Sequence, residues 1–506
     1  MASPRALFPY SRSRGRHPVR AAASQAGPLS GWTSSLVPRY LSERQRMEVS
    51  NRALDLYTND SIAHGVLEAL VVETIGTGIT ASPATRYERV GRDAEWGDLY
   101  KGAAFRCWEG HGLDFRNFCD ATRRLNIYGL QALAFFSWKL SGIGLFQKVF
   151  VKGPGRKLGQ ATLPIDPERL ATPSNRQSAE IYDGIEVDSN GAPVAIHLRK
   201  PGVTSAQPSI HLTDRFELYD RETGLPRIYL VCDVRNIAEY RQDSILGTIA
   251  PEIYFRKDMQ LAFLIGQAVR NNFVAFVQDY GGSTISKDTP WRERVQETSK
   301  GTFLLGGKNE KPHFFNHGNS AVGLKEVNDA VTTDIGIGTG RGAENVKRQY
   351  QQSYSASKAN MEKSDQFCDY EREIVMVNRF CQPEYAWMTY ESCLRGELPG
   401  VVKKDFLPNL YEYTRCRHLP QPTRHLDKDK QSKANERDRR NGFLLLEEVW
   451  GEKGLSSKEA MRRFADEIMD LKRLSRETGV DLVSLFLGGE REEGDSTIND
   501  GDKDDD

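Results

Sequence analysis

The chain has 506 residues, enough for two or more domains with a substantial core. Its 69 Lys and Arg balance 69 Asp and Glu, so a net charge of zero excludes a uniformly basic nucleic-acid binder. Hydrophobic residues make up 39% and charged residues 27%, a dilution expected when polar ends and exposed helices accompany an ordinary core.

Residues 1–42 are rich in Pro, Gly, Ser and Arg and precede the first acid, Glu43, so a disordered basic arm is expected there, carrying Arg5, Arg12, Arg14, Arg16, Arg20 and Arg39. No apolar core follows these arginines, which argues against a signal peptide. The composition also suits a mitochondrial transit segment, but Pro4, Pro9 and Pro18 oppose the amphipathic helix such a segment needs. From Arg46 to Ile75, Met47, Leu54, Ile62, Val66 and Leu70 fit a helical repeat broken once at Asn59-Asp60-Ser61, with Gly76-Thr77-Gly78 as the stop. Further helices are expected over about 94–109 and 114–128, with β structure after Gly129. Val149-Phe150-Val151 reads as a strand ending before Gly153-Pro154-Gly155. Ile185 and Val187, then Val194, Ile196 and Leu198, flank Asn190-Gly191 and predict a hairpin. Ile228 to Val231 is a further strand.

Pro251 to Tyr280 is predicted as one long helix, because Pro suits a first helical turn and Gly281-Gly282-Ser283 supplies a stop. Its most apolar part, Met259 to Val277, contains Arg270, Asn271 and Asn272, which a bilayer core would not tolerate, so it is not read as a membrane span. Residues 283–322 mix β-like pieces with polar residues. Leu324, Val327, Val331 and Ile335 mark a short helix ended by Gly336. A polar, glycine-rich stretch reaches Ser355, and a long helix follows to about Phe380, broken by Cys381-Gln382-Pro383. The charged stretch 419–441 is expected to be loop plus helix. A helix over 456–475 carries Ala460, Phe464, Ile468 and Leu471 on one face. From Glu490 to Asp506, nine acids meet only Arg491 and Lys503, so an acidic disordered tail is expected. The pattern is α+β with prominent helices and no internal repeat.

Seven cysteines, odd in number, widely spaced and without C-x-x-C, argue against a zinc ribbon or disulfide scaffold and for a reducing compartment. Gly336-Ile-Gly-Thr-Gly-Arg-Gly342 invites a nucleotide reading, but it follows a helix, has the wrong spacing for a dinucleotide site and lacks the Gly-Lys-Ser/Thr of a phosphate loop; a mobile loop is the better expectation. His313 and His317 have ligand-like spacing without a third ligand, and Cys416, His418 and His425 are poorly spaced for zinc. No Gly-x-Ser-x-Gly elbow occurs, and Glu447-Glu448 has no visible catalytic partner. No catalytic residue, metal site or cofactor is therefore assigned.

Several segments together resemble the lambda-like portal family of tailed double-stranded DNA phages. Asn51 to Asp60, running into Thr74-Ile-Gly-Thr-Gly-Ile-Thr80, resembles its N-terminal helix pair and Val-Gly-x-Gly-Ile ending. Leu163 to Pro173 is similar to its Ile-x-Pro-Asp-Arg-Leu-x-x-Pro strand, and Gly184 to His197 to its Gly-Ile-Glu-x-Asp-x-x-Gly-x-Pro-x-Ala hairpin. Arg241 to Gly247 stands where the family has Gln-x-Arg-Gly, and Ser353 to Ala359 resembles Tyr-Ser-x-x-Arg-Ala with Lys358 in the Arg place. The likeness runs from about 46 to 475. It departs from the pattern at Arg241-Gln-Asp-Ser-Ile, which lacks Arg-Gly, and at Leu426 to Lys430, which lacks Asp-Pro.

The resemblance implies a non-enzymatic portal: a ring, with twelve subunits, at one capsid vertex of the virion, assembled in the host cytoplasm. Double-stranded DNA would pass through it during packaging and ejection. The terminase large subunit, a head–tail adaptor, and major capsid and scaffold proteins would be its partners, with no membrane involved. On this reading residues 43–250 are a wing with a small sheet and 251–280 a stem helix. Residues 281–322 are an α/β clip bearing Lys287, Arg292, Arg294 and Lys300, and 323–336 the returning stem helix. Residues 337–355 form a tunnel loop whose DNA-facing residues, with the helix after it, are Lys347, Arg348, Gln351, Gln352 and Lys358. A long helix and wing return follow over 356–418, a helical crown over 419–487 and the acidic tail over 488–506. The competing readings are a nucleotide-dependent enzyme using 336–342 and a mitochondrial interaction protein with a cleaved N-terminus.

Overall fold

The computed structural model of the chain describes residues 43–173, 181–200, 213–235, 239–278, 295–298, 301–306, 320–342, 344, 346, 354–420, 428–451 and 457–487. The basic arm, the acidic tail, most of 279–319 and of 343–353, and His425 lie outside them.

The chain enters as two helices, α1 (Glu43–Asn59) and α2 (Ser61–Thr74), broken where the sequence placed the break. Asp60 makes the break: its carboxylate accepts from the Ile62 and Ala63 backbone N–H groups and so satisfies two otherwise open donors of α2. A short strand β1 (Thr80–Pro83) leads to α3 (Ala94–Gly112), capped by Asp93 through the Trp96 N–H.

The helix expected over 114–128 does not form, and the β structure expected after Gly129 is a helix, α4 (Ile127–Ser141). The reason lies in local side-chain chemistry. Buried Asp120 accepts from the Thr122, Arg124 and Leu125 backbone N–H groups and from the Thr122 hydroxyl, which offers the backbone a turn in place of a helix. Asn117 and Arg123 take left-handed φ values of 52° and 58°, and Asn126 then caps α4 through the Gly129 N–H.

Strands β2 (Gly144–Phe150) and β3 (Gln160–Ile165) follow, and β2 pairs with both β3 and β8 (Ile228–Val231) in an antiparallel sheet of order β3-β2-β8. A second antiparallel sheet orders β4 (Ile181–Tyr182), β5 (Ile185–Val187), β6 (Pro193–Arg199) and β7 (Thr213–Glu217) in sequence. The Asn190-Gly191 hairpin joins β5 to β6: Asp188 Oδ1 accepts from the Asn190 and Ala192 N–H groups.

The long helix begins six residues before Pro251 and ends earlier than expected: α5 spans Ile245–Asn272 and gives way to strand β9 (Phe273–Gln278). The Ser244 hydroxyl accepts the Leu246 N–H at its start, so Pro251 lies within the helix rather than opening it. Strands β10 (Val295–Thr298) and β11 (Gly301–Gly306) join β9 in a sheet of order β10-β11-β9, with β11 parallel to β9. Helix α6 (Ser320–Gly338) returns, ending two residues past Gly336.

Helix α7 (Tyr354–Tyr370) runs through a π-helical stretch, Glu371–Cys381, directly into α8 (Gln382–Leu394). The break expected at Cys381-Gln382-Pro383 is absent, since Gln382 is helical at φ −66° and ψ −44°. Pro383 has no N–H to donate, and it falls where the hydrogen-bond ladder changes from π to α pitch, a place where a donor can drop out without ending the helix. Short helices α9 (Lys403–Phe406) and α10 (Leu410–Tyr413) precede β12 (Cys416–Leu419), which pairs with β1. The C-terminal part is helical: α11 (Lys428–Arg440), α12 (Leu446–Gly451), α13 (Ser457–Thr478) and α14 (Leu482–Leu487). The predicted face of α13 is only partly covered: Ala460 is buried, but Phe464 is 50% exposed.

The core lies where α4, the β3-β2-β8 sheet and the π-helical stretch meet, with Phe380 edge-on to Phe146 and Tyr229 at ring separations of 5.1 and 5.9 Å. Buried ion pairs are built into it. Lys148 on β2 reaches Glu384 on α8 at 2.6 Å, and the Thr162 hydroxyl donates to the same carboxylate. Removing either partner alone would strand a buried charge.

Candidate assembly surface and conduit-facing segments

Helices α5 and α6 form an antiparallel pair, as Gln260 Nε2 donates to Asn328 Oδ1 at 3.2 Å while Gly338 packs on Ile249. A Cβ at Gly338 would stand 2.7 Å from Ile249 Cγ2, so the helices meet closely at this end because residue 338 has none. The pair carries the β10-β11-β9 sheet between its two helices in sequence. Its root is fastened by Arg256, whose Nη2 donates to Asp60 Oδ2 at 3.0 Å. Asp60 thus caps α2 with one oxygen and holds α5 with the other.

The inner face of α5 buries Leu246, Ile249, Ile253 and Arg256 at helical spacing. The outer face carries exposed apolar residues as well: Tyr254, Leu261 and Ile265 fall in line along it and are 55–66% exposed, with Phe255 and Leu264 beside them and the exposed charges Lys257 and Asp258 among them. Exposed apolar side chains gathered on one side of a helix are the kind of surface that another chain can cover.

The segment after α6 is anchored at its base, which corrects the mobile-loop expectation for 336–342. Arg341 is buried; its guanidinium lies 3.1 Å from both Glu73 and Glu371 and donates to the Thr74 hydroxyl at 2.9 Å and to the Ser364 carbonyl at 3.2 Å. Lys139 on α4 reaches the other Glu371 oxygen at 2.5 Å; its burial lowers its pKa, and Glu371 opposes that shift. One residue after α6 therefore ties α2 and the helical run 354–394 together, and through Glu371 it reaches α4. The glycines serve packing rather than a phosphate: a Cβ at Gly342 would meet the Asn360 side chain at 2.4 Å.

Of the residues assigned to DNA contact by the sequence, Lys358 is described. It is exposed in the first turns of α7, with Nζ 3.7 Å from the Glu362 carboxylate. Lys347, Arg348, Gln351, Gln352, Lys287, Arg292, Arg294 and Lys300 lie outside the described residues, as do His313 and His317. Cys416 and His418 share β12 but turn to different partners: the thiol donates to the Ser82 carbonyl at 3.3 Å, and His418 Nε2 lies 3.0 Å from Gln382 Oε1. Among the described residues no group of three or more His, Cys, Asp or Glu side chains could hold a metal ion, and no helix is long and apolar enough to cross a membrane. Sequence reasoning missed Arg341 and the outer face of α5. A lone Arg in a glycine run was a signal for the first; alternation of apolar residues around a whole helix was the signal for the second.

An α+β body with an antiparallel helical pair that bears exposed apolar side chains has the makings of an assembly component. The family model of the phage portal proteins of the lambda family matches residues 28–372, and the chain belongs to that family. All five motifs of the sequence resemblance lie within that match, whereas the likeness drawn from 373 to 475 lies beyond it. The chain is thus a portal protein, the head–tail connector of a virion, a structural protein that forms a ring and conducts double-stranded DNA. Among solved structures it is similar to a chain of the virion of a native gene transfer agent particle, at 12% identity over 82% of this chain and 95% of that one, with a TM-score of 0.41. It is also similar to chains of the neck of the empty particle computed with C6 symmetry, at 13% identity over 79% and 93% with a TM-score of 0.40, and of the neck of the native particle computed with C12 symmetry, at 11% over 81% and 94% with 0.39. No curated protein matches the chain.

Proposed function

We propose that the α5–α6 pair is the stem of the ring, that the insert between them is the clip, and that residues 339–353, the part of 337–355 between α6 and α7, form the loop lining the narrowest part of the channel. The observation that carries this reading is the antiparallel pair itself, a long outgoing helix and a shorter returning one with a small three-stranded sheet between them in sequence. The ring has twelve copies, closed by head-to-tail contacts in which the outer face of α5 meets the neighbouring subunit. The terminase large subunit docks on the clip during packaging and a head–tail adaptor afterwards; capsid and scaffold proteins surround the wing formed by 43–250, and assembly takes place in the host cytoplasm. Residues 419–487 form the crown.

A moving duplex needs weak, sequence-independent contacts, and Lys347, Arg348, Gln351, Gln352 and Lys358 offer basic and amide groups of that kind. The buried Arg341 cluster gives that loop a base fixed to α2 and to the run 354–394. The test is the double variant Lys347→Ala, Arg348→Ala, which should form rings and show altered packaging or retention of DNA. Full-length DNA packaged and retained as in the parent would remove these side chains from the channel. Deleting Gly282 to Asn319 should abolish particle assembly or motor docking while the wing still folds; normal packaging by that deletion would refute the clip assignment.

A further inference from the structure

Away from the α5–α6 pair, three guanidinium groups converge on one aromatic ring. Arg116, Arg123 and Arg156 lie 4.6, 4.7 and 4.8 Å from the centroid of Phe118, which is itself 5% exposed. The three come from two loops, Arg116 and Arg123 between α3 and α4 and Arg156 between β2 and β3. Such a gathering of like charge is costly unless carboxylates offset it. One does: Asp114 holds Arg116 at 2.7 Å. Arg156 spends one donor on the Phe118 carbonyl at 2.8 Å, and neither it nor Arg123 has a carboxylate within salt-bridge distance among the described residues. Burial, and then the Arg123 charge, lower the Arg156 pKa, as expected for a cation facing a cation.

The cluster is held in place rather than loosely displayed. Asp120 pins the loop that presents Arg123 through four accepted hydrogen bonds, and Arg123 itself is fixed at φ 58°. Beside the ring opens a cleft of about 350 Å³, whose lining includes Arg106, Arg116 and Lys157 together with His111. Among the described residues the buried His111 Nε2 has no hydrogen-bond partner, and burial lowers this group's pKa to about 3, so the ring is neutral.

A surface of this kind calls for an anion. A duplex would lie across the cations but could not enter a cleft of side-chain size; an acidic polypeptide can do both, with one carboxylate or amide group inside the cleft and others on the arginines. This chain carries such a polypeptide: from Glu490 to Asp506, nine acids stand against two bases. We propose that the cleft and arginine cluster around Phe118 form a docking site for the acidic segment 490–506 of this chain, from the same copy or a neighbouring copy of the ring. The docked segment neutralises the cluster and keeps it from the DNA that the ring conducts. The site uses none of the residues assigned to the channel, so it stands or falls separately from the proposed function.

The test is zero-length carbodiimide coupling in the full-length assembled protein, which joins a lysine amine to a carboxylate with loss of water, followed by peptide mass spectrometry. Lys157 should couple to acids of 490–506, and the coupling should vanish at about 1 M salt, where the Debye length is roughly 3 Å. Replacing Arg123→Gln and Arg156→Gln together should lower the yield about tenfold, within the range for two surface charge pairs. Replacing Asp502, Asp504, Asp505 and Asp506→Asn, which leaves the folded body untouched, should lower it likewise. Mixing isotopically light and heavy copies assigns the segment to its own or a neighbouring subunit, and either supports the proposal. Coupling of Lys157 to Glu397 or Asp114 alone, or yields indifferent to both variants, would overturn it. So would arginine-dependent binding of a mixed-sequence DNA duplex whose affinity does not change when the tail carboxylates become amides, which would make the cluster a nucleic-acid contact instead.

Discussion

Replacing Arg341 by Leu should loosen the joint between the helix α6, α2 and the run 354–394 while leaving most of the fold in place. The magnitude follows from the partners. The pair with Glu371 is buried on both sides, with side chains 3% and 8% exposed, and breaking such a pair costs about 3–5 kcal/mol. Glu73 is 32% exposed and can turn to water, so its loss adds at most about 1 kcal/mol. Glu371 keeps Lys139 at 2.5 Å, which places the total toward the lower end. A local loss of about 3 kcal/mol corresponds to roughly 100-fold faster opening-limited exchange. Native-state hydrogen exchange read by mass spectrometry should show this in 61–74 and 354–381, with β4 to β7 unchanged. Pairing the change with Glu371→Gln should cost less than the sum of the single changes, because the stranded carboxylate is then neutral. Acceleration below about threefold in those segments, or equal acceleration everywhere, would refute the reasoning.

Leu261→Glu with Ile265→Glu places two charges on the outer face of α5 and should leave a folded subunit that no longer closes into rings, as native mass spectrometry would show; intact rings would move the interface elsewhere. His418 has its pKa lowered to about 4 by burial. The folded protein therefore holds it neutral, and its contribution to stability is complete above about 6.5 and is lost as pH falls from there toward 4. Thermal melts across that window should show a decline that His418→Gln reduces; an unchanged slope would show that the ring is not held neutral. Glu186, lowered to about 2 chiefly by Arg215, acts lower on the scale, so its contribution is lost only as pH falls from about 4.5 toward 2.

The sequence revealed those elements whose punctuation is local. Asp60 breaks and caps, Asn190-Gly191 turns, and Gly76 stops a helix, each through a side chain or a backbone freedom that acts within three residues. Elements decided by burial or by an unusual hydrogen-bond ladder were not legible in the sequence. The apolar spacing of 114–128 suggested a helix, and only the burial of Asp120 against β3 made its turn the better choice. Pro383 ought to have ended a helix, but a π-helical stretch absorbed it. The family was legible because its motifs sit in strands, hairpins and helix ends that recur in order. The ionic joint at Arg341 was not, because Glu73, Thr74 and Glu371 are remote in sequence and nothing local marks them as partners.

Imaging the purified, assembled protein by cryo-electron microscopy tests the central claim most directly. The account expects a closed ring with an axial hole, twelve copies in the particle, the α5–α6 pairs side by side around the channel, and Lys347 and Arg348 at its narrowest point. A closed particle without an axial channel, or a ring in which the α5–α6 pair points away from the axis and touches no neighbour, would contradict it.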